Sequence, residues 1–192
     1  MQQAAQTEKI VNGVNVTELF NTVDAINGDG EIAKFNFRAT NKWINGAQNR
    51  TEIRDFDGAC QKFDREEPFV IQKDEHPILL GTDTGANPVE YALAALAGCL
   101  TTSLVYHAAA QGIKIDEVES TYAGDIDLHG FLGLDDNVRN GYKDIQITFK
   151  VKGDAPEAKL RELVELAQKR SPVFDIVTNK VPVTVSLENG AK

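Results

Sequence analysis

The chain has 192 residues, of which 42% are hydrophobic, and a formal net charge of -9 at pH 7. This length suits one domain with an N-terminal extension better than two separate cores. An acidic chain without a Lys/Arg cluster repels a phosphate backbone, so no nucleic-acid partner is expected. No basic flank precedes an apolar run at the start, and no stretch reaches the roughly 18 apolar residues of a membrane span. We therefore expect a cytoplasmic protein with no membrane partner.

The cysteines and histidines do not suggest a metal site. Two cysteines, Cys60 and Cys99, are too few for a disulfide framework, and three scattered histidines show no ligand spacing with them. We expect neither a bound metal nor a cofactor.

The first third of the chain predicts one helix and a small sheet. The capping-box pattern Asn15-Val-Thr-Glu18 precedes apolar residues at helical spacing that end at Asn27-Gly28. This predicts a short amphipathic helix within an N-terminal extension covering residues 1–30. Alternating stretches around residues 34–39, 50–56 and 69–72 then predict a three-stranded antiparallel meander.

The rest of the chain predicts a central helix followed by strands and a second helix. Asn87 can cap a helix that starts at Pro88, and apolar residues line one face up to Gly112. Few charges interrupt this helix, so we expect it to be buried on most sides. Residues 118–128 and 145–151 predict a hairpin, a second capping box at Asp154-Ala-Pro-Glu157 predicts another helix, and residues 181–187 predict a last strand.

Strands and helices come in blocks, which favours an α+β fold with antiparallel pairing over a doubly wound parallel sheet. Within it Cys99 lies mid-helix among small apolar residues, where a cysteine is more often a packed, inert side chain than a reactive one. It is also about three turns from the helix N-terminus, too far for the helix dipole to stabilise a thiolate. A reactive Cys99 therefore needs a cation from another segment.

Several separated motifs resemble those of the OsmC/Ohr family. Residues 79–99 read LLGTDTGANPVEYALAALAGC, and the likeness continues through Gly124-Asp-Ile-Asp-Leu128, Arg139-Asn-Gly-Tyr142 and Arg170-Ser-Pro-Val173. The resemblance spans roughly residues 30–188 and implies an OsmC-like domain over residues 31–192. It implies antiparallel sheets packed on a central buried helix, and an intertwined homodimer with its sites at the subunit interface.

The resemblance also implies a peroxidase that reduces organic hydroperoxides. In such proteins a central-helix thiolate attacks the peroxide, and an arginine from the N-terminal meander and a glutamate near the helix start hold each other and the thiolate. Cys99 matches the thiolate and Glu90 the glutamate, although Glu90 is equally plausible as a helix-capping residue. Arg50 is the first choice for the arginine and Arg38 and Arg54 are the alternatives, each of which is as plausibly a solvated strand residue.

Helix geometry separates two of these residues. The nine positions from Glu90 to Cys99 correspond to roughly 13 Å of rise and about half a turn, so one helix cannot bring both side chains together. If both serve one site, Glu90 comes from a second subunit.

The chain departs from two-cysteine relatives at Ser171, where they have the resolving cysteine. Ser171 either caps the turn opened by Pro172 or hydrogen-bonds the oxidised Cys99, and an external thiol or dithiol would complete the cycle. Cys60 is most simply an incidental surface thiol. The alternative hypothesis is an OsmC-like dimer that binds a small ligand or senses redox state without peroxidase turnover.

Overall fold

The computed structural model describes residues 8–188, which form two groups of strands and helices. The strands in this range are β1 (Ile10–Val11), β2 (Val14–Asn15), β3 (Phe35–Phe37), β4 (Thr40–Asn45), β5 (Gln48–Gly58), β6 (Gln61–Lys73), β7 (Ile115–Gly124) and β8 (Ile145–Gly153). The α-helices are α1 (Val16–Gly28), α2 (Pro88–Ala110), α3 (Leu128–Phe131), α4 (Glu157–Arg170) and α5 (Pro172–Thr178). This is the predicted α+β fold with antiparallel sheets.

The N-terminal extension forms a short hairpin and the predicted helix. The Asn15 side chain accepts a hydrogen bond from the backbone N–H of Glu18 at 3.1 Å, which caps α1 as the sequence pattern predicts. At the β1–β2 turn, the Asn12 side chain donates to the carbonyl of Ile113 and accepts from the N–H of Ile115, at 2.9 and 2.8 Å. These two bonds fasten the extension to the start of β7.

The second sheet is the predicted meander, with its first strand interrupted. β3 and β4 pair with opposite ends of one edge of β5, and β6 pairs with the other edge. The interruption falls at Arg38 and Ala39. Opposite Arg54, residues 65–68 of β6 form a bulge. Pro68 lies in that bulge, where its missing N–H removes no ladder hydrogen bond.

The core of the described chain surrounds α2. β7 and β8 pair as the predicted antiparallel hairpin, and β7, α4 and α5 all pack against α2. The core residues are at most 1% exposed: Leu96, Leu100, Leu104, Ala108, Leu163 and Ala167. Burying one leucine side chain contributes roughly 1.5–3 kcal/mol, so most of the apolar stabilisation of a single chain is concentrated here.

One chain covers only part of α2, contrary to the expectation of burial on most sides. The opposite face is exposed and consists mainly of small side chains, among them Ala92, Ala95, Gly98 and Thr102. The elements that pack on α2 are β7, α4 and α5, and the α2 side chains that they help to bury, Leu96, Leu100, Leu104 and Ala108, lie on one face of the helix. By length and composition α2 also meets the criterion for a membrane span. Its packing in the α+β core identifies it instead as a core helix, which does not indicate a membrane protein.

The predicted last strand is not formed. Residues 180–188 have no regular structure, and Val183, Val185 and Leu187 are 79%, 90% and 91% exposed. An alternating apolar pattern becomes a strand only when it pairs with a neighbouring edge. No backbone hydrogen bond joins this segment to a strand in the part of the chain that the structure describes.

The helix boundaries after β8 also differ from the prediction. α4 begins after Pro156 without a side-chain cap, because Asp154 instead accepts a hydrogen bond from the N–H of Lys114 at 2.8 Å. The prediction of a second capping box is therefore wrong. The sequence patterns also did not predict α3 and α5, two short helices of 4 and 7 residues.

Candidate functional site

The loop between β6 and α2 carries the glycines of the motif and lies directly on the end of β6. A Cβ atom at Gly81 would lie 1.8 Å from the backbone oxygen of Glu75. One at Gly85 would lie 2.8 Å from the backbone oxygen of Gln72. Backbone atoms cannot turn away as a flexible side chain can, so only glycine fits at either position. The glycines thus fix how the loop enters α2.

The first turn of α2 shows the capping interactions expected of Asn87 and Glu90. The Asn87 side chain accepts from the N–H of Val89 at 2.8 Å, and the Glu90 carboxylate accepts from the N–H of Asn87 at 2.8 Å. The structural interpretation of Glu90 is therefore confirmed, and its catalytic role stays a prediction. The Tyr142 hydroxyl donates to the carbonyl of Val89 at 2.9 Å. Burial raises the pKa of Tyr142, and the negative charge of Glu90 raises it further.

Cys99 lies where the buried and exposed faces of α2 meet. Its side chain is partly buried and forms no disulfide. Leu96 and Leu100 beside it point into the core. Gly98 on the other side is exposed, and a Cβ atom there would have nothing within 4 Å. A reagent can therefore reach Cys99 only from the uncovered face of α2.

Arg50 lies in β5 and is the arginine with the fewest internal contacts of the three candidates. Its guanidinium donates to the Glu52 carboxylate at 2.7 Å, and the two side chains are 47% and 40% exposed. Together with Lys42 and the other two arginines, it lines a surface cavity of about 300 Å³. The cavity brings four cationic side chains together with the carboxylates of Glu52 and Asp55, which pair with Arg50 and Arg38.

The two alternative arginines are held by partners within the sheet. Arg38 forms ion pairs with Asp55 and Asp57, each at 2.8 Å, and the hydrogen bonds that it donates to these carboxylates raise its pKa. Arg54 donates to the carbonyls of Arg65 and Glu66 at 3.2 and 3.1 Å. These bonds give Arg38 a structural role beside the break between β3 and β4, and Arg54 one at the bulge.

Ser171 is 2% exposed and caps α5 by accepting a hydrogen bond from the N–H of Phe174 at 3.1 Å. This is the capping role that the sequence indicated, and a contact with oxidised Cys99 stays a prediction. Cys60 is exposed at the β5–β6 turn, in a left-handed conformation with φ 59°. It lies at the far end of the meander from the strand ends that approach α2.

The described chain does not join the predicted site residues to one another. No hydrogen bond or ion pair between residues 8 and 188 links any two of Cys99, Arg50, Glu90 and Ser171. Arg50 and Glu90 are connected only indirectly, through the strand next to β5 and the residue that follows Glu90. Arg50 pairs in register with Gln72, whose carbonyl accepts a hydrogen bond from the Tyr91 hydroxyl at 2.9 Å.

Sequence reasoning missed Tyr91, which ties the start of α2 to β6, and Asp74, which binds the loop between them. Because Tyr91 directly follows Glu90 in the motif, the sequence predicts that it lies in the first turn of α2, but it does not predict its contact with a strand. Asp74 gives no signal, because an acidic residue at a strand end is ordinarily solvated. Its burial, at 1% exposed, is visible only in the folded chain.

Comparison with known proteins supports this architecture. An OsmC-like protein from Mycoplasma pneumoniae superposes with a TM-score of 0.58 at 17% identity, covering 76% of this chain and 89% of that one. An OsmC-like protein of unknown function from Vibrio cholerae superposes with a TM-score of 0.53 at 13% identity, covering 74% and 94%. At these identities the likeness establishes the fold alone. No curated protein sequence matches the chain.

The family model described as "OsmC-like protein" matches residues 81–186, more than half of the chain. The match begins at Gly81, in the loop that the two glycines hold against β6, and includes Cys99 and Ser171. The sequence motifs, the fold and this match agree, and the chain belongs to the OsmC-like protein family.

Proposed function

We propose that the protein is a thiol-dependent peroxidase that reduces organic hydroperoxides through Cys99, using an external thiol or dithiol as reductant. The observation that carries the proposal is the position of Cys99 in this family's central helix. Cys99 lies at the border between a fully packed core and an uncovered apolar face. In the dimer proposed below this border lies at the subunit interface, where a hydroperoxide with an apolar substituent can bind beside the sulfur while the core holds the helix in place.

The proposed cation is Arg50, with Glu90 as its orienting carboxylate. Only a thiolate attacks peroxide efficiently, and a nearby guanidinium stabilises the thiolate. Arg50 is favoured over Arg38 and Arg54 because its one hydrogen-bond partner among the described residues is the exposed Glu52. Both Arg50 and Glu90 lie near the junction of β6 and α2, whereas Cys99 lies two and a half turns further along the helix.

We further propose that the active form is a homodimer, in which Cys99 of one subunit meets Arg50 and Glu90 of the other. The chain exposes 14363 Å². A compact monomer of 21.0 kDa is expected to expose roughly 9000 Å². A single chain thus leaves more surface uncovered than a compact monomer does, and an obligate dimer interface, which buries about 2000–5000 Å² in total over both subunits, would cover part of it. The open face of α2, the meander and the apolar segment 180–188 are the surfaces available for it.

The proposed reaction balances with two equivalents of thiol. The Cys99 thiolate attacks the distal oxygen of ROOH, the O–O bond breaks, and with one proton the products are Cys99 sulfenic acid and ROH. An external thiol then forms a mixed disulfide with Cys99 and releases water. A second thiol regenerates the Cys99 thiol and leaves as the oxidised disulfide. Ser171 cannot replace the external thiol, because a hydroxyl forms no disulfide.

The competing proposal is a family member that binds a small ligand or senses redox state. The absence of a thiol at position 171 keeps this alternative open. It predicts ligand binding or slow stoichiometric oxidation without turnover.

The deciding experiment is to trap the sulfenic acid with a dimedone-type reagent after sub-stoichiometric organic hydroperoxide. The adduct should form on Cys99 in the wild type and in Cys60→Ser, and hydroperoxide consumption should be lost in Cys99→Ser. Cys60→Ser is the matched control because it removes the other thiol of the chain. Equal losses in both cysteine variants would overturn the assignment, and trapping without repeated turnover would favour the sensing alternative.

A further inference from the structure

Asp74, at the end of β6, is a buried carboxylate to which the proposed reaction assigns no role. It is 1% exposed and accepts five hydrogen bonds. The N–H of Glu75 binds one carboxylate oxygen at 2.8 Å. The other oxygen accepts from the N–H and hydroxyl groups of Thr82 and Thr84, at distances between 2.6 and 3.1 Å. All five donors come from the loop that precedes α2.

This network extends to the strand that carries Arg50. The Gln48 amide donates to the hydroxyls of Thr82 and Thr84, at 2.9 and 3.2 Å. Each hydroxyl therefore accepts from Gln48 and donates to Asp74, which fixes the direction of every bond. Gln48 is the first residue of β5, two positions before Arg50.

The same loop is connected to Glu90 on its other side. Glu75, which follows Asp74, accepts a hydrogen bond from the Asn87 side chain. Asn87 in turn caps α2 and donates its N–H to the Glu90 carboxylate at 2.8 Å. The Asp74 network thus lies between Arg50 and Glu90, and hydrogen bonds connect it to both segments.

We propose that Asp74 is a positioning residue that holds the Arg50 strand and the Glu90 turn in one fixed arrangement toward the reactive cysteine. This inference rests on the proposed function of Arg50, Glu90 and Cys99. A positioning role differs from a purely structural one here because the hydrogen bonds of Asp74 lie at the junction of β6 and α2 and not in the core around α2. Hydrogen bonds from Thr82 and from the backbone also hold the pKa of Asp74 below its ordinary range, as expected for a carboxylate kept charged by its donors.

The test compares Asp74→Asn, Gln48→Leu and the control Asp116→Asn. Asp116 is an exposed acid in β7, so its replacement removes the same charge away from the junction. An asparagine at position 74 cannot accept with both side-chain atoms, so at least one donor loses its partner. Gln48→Leu leaves Asp74 and its five donors intact and removes only the connection to β5. Because Gln48 is only partly buried, this variant is expected to fold.

The readout is the pH dependence of Cys99 alkylation in the Cys60→Ser background, together with the rate constant for organic hydroperoxide. We expect Asp74→Asn and Gln48→Leu to shift the alkylation midpoint upward and to slow the peroxide reaction about tenfold, whereas Asp116→Asn changes neither. The direction is diagnostic, because loss of the negative charge of Asp74, without any change in geometry, would shift the midpoint downward. Thr84→Ser should retain wild-type behaviour and Thr84→Val should lose it.

The inference is overturned if both Asp74→Asn and Gln48→Leu keep the wild-type alkylation profile, even where the melting temperature falls. If Asp74→Asn does not fold, Gln48→Leu and the Thr84 pair decide the question. Failure of the proposed function has a different signature, namely a wild type that forms no trapped sulfenic acid. In that case an unchanged alkylation profile in the variants still overturns the positioning role of Asp74.

Discussion

The two halves of the described chain follow the same secondary-structure rules but differ in what covers them. The α2, β7, β8, α4 and α5 half buries a continuous leucine-rich core. In the meander of β3–β6, Gly58 is the one residue of the strands that is buried within the described chain. Phe37 and Trp43 are 70% and 72% exposed there. A sheet with no covered face gains little from the hydrophobic effect, so the meander gains less stability from burial than the half around α2.

The meander nevertheless has strong local order. Phe63 stacks on Phe56 with ring centroids 4.7 Å apart, and the Phe37 ring lies tilted against Phe56 at 5.4 Å. Arg65 lies over the Phe56 ring at 5.1 Å. Such contacts are worth roughly 0.5–1.5 kcal/mol each, which orients the strands without replacing a core. Local contacts thus give the sheet its shape, and we propose that the second subunit gives it stability.

The largest expected effect comes from closing the open face of α2 with a larger side chain. A Cβ atom at Gly98 would have nothing within 4 Å in a single chain, so Gly98→Leu should favour the helix there by roughly 1 kcal/mol. In the proposed dimer the leucine would clash at each copy of the face and dissociate the subunits. Sedimentation at micromolar concentration should show a dimeric wild type and a monomeric or unfolded variant. Ala25→Leu on the exposed side of α1 is the control, and a dimeric Gly98→Leu would contradict the proposed interface.

The second-largest expected effect is a loss of core packing within one chain, which does not depend on whether two subunits associate. Leu100 is 0% exposed, so Leu100→Ala should lower the free energy of unfolding by about 2–5 kcal/mol. Leu134→Ala, at a side chain that is 68% exposed, should change it by less than about 0.5 kcal/mol. Denaturant melts at two protein concentrations measure both. A similar loss in the two variants would show that the surface around Leu134 is also covered.

The Ser171→Cys variant is a smaller structural change, and it tests whether the start of α5 lies next to Cys99. Ser171→Cys replaces one buried atom by a larger one. In the fold implied by two-cysteine relatives, it should form a disulfide with Cys99 after peroxide treatment and protect Cys99 from sulfinic acid. The wild type, whose other thiol Cys60 lies on the meander, should instead form sulfinic acid or mixed disulfides. Mass spectrometry distinguishes these products, and continued sulfinic acid formation in the variant would place the two positions apart.

The smallest expected effect is electrostatic and lies beside α3. Hydrogen bonds from the side chain and backbone of His129, with one from Lys143, lower the pKa of Asp127 to about 2. Since the folded value lies below the ordinary one near 4, Asp127 stabilises the fold at neutral pH. This contribution is lost as the pH falls from about 4 through 2. Asp127→Asn should be less stable than wild type at pH 7 and equal to it near pH 2, with Asp136→Asn as control. An equal difference at both pH values would contradict this linkage.

Sequence patterns predicted elements whose signals are local. The Asn15 and Asn87 caps, the alternation of β5 and the β7–β8 hairpin depend on contacts between near neighbours in the chain or on a simple period. They failed where two signals compete for one residue, as at Asp154, whose carboxylate caps the N–H of Lys114 instead of α4. They also failed for α3 and α5, since helices of 4 and 7 residues are too short to show a periodic pattern.

The sequence by itself determined the family, the central helix, the place of Cys99 within it and the lack of a second thiol at Ser171. These follow from residue types and spacing along the chain. Only the tertiary structure decided that Arg38 and Arg54 are held by other partners and that Asp74 is buried among five donors. It also decided that one face of α2 is uncovered. The physical reason is that burial and hydrogen-bond partners depend on which distant segments of the chain are in contact, and only the folded structure determines those contacts.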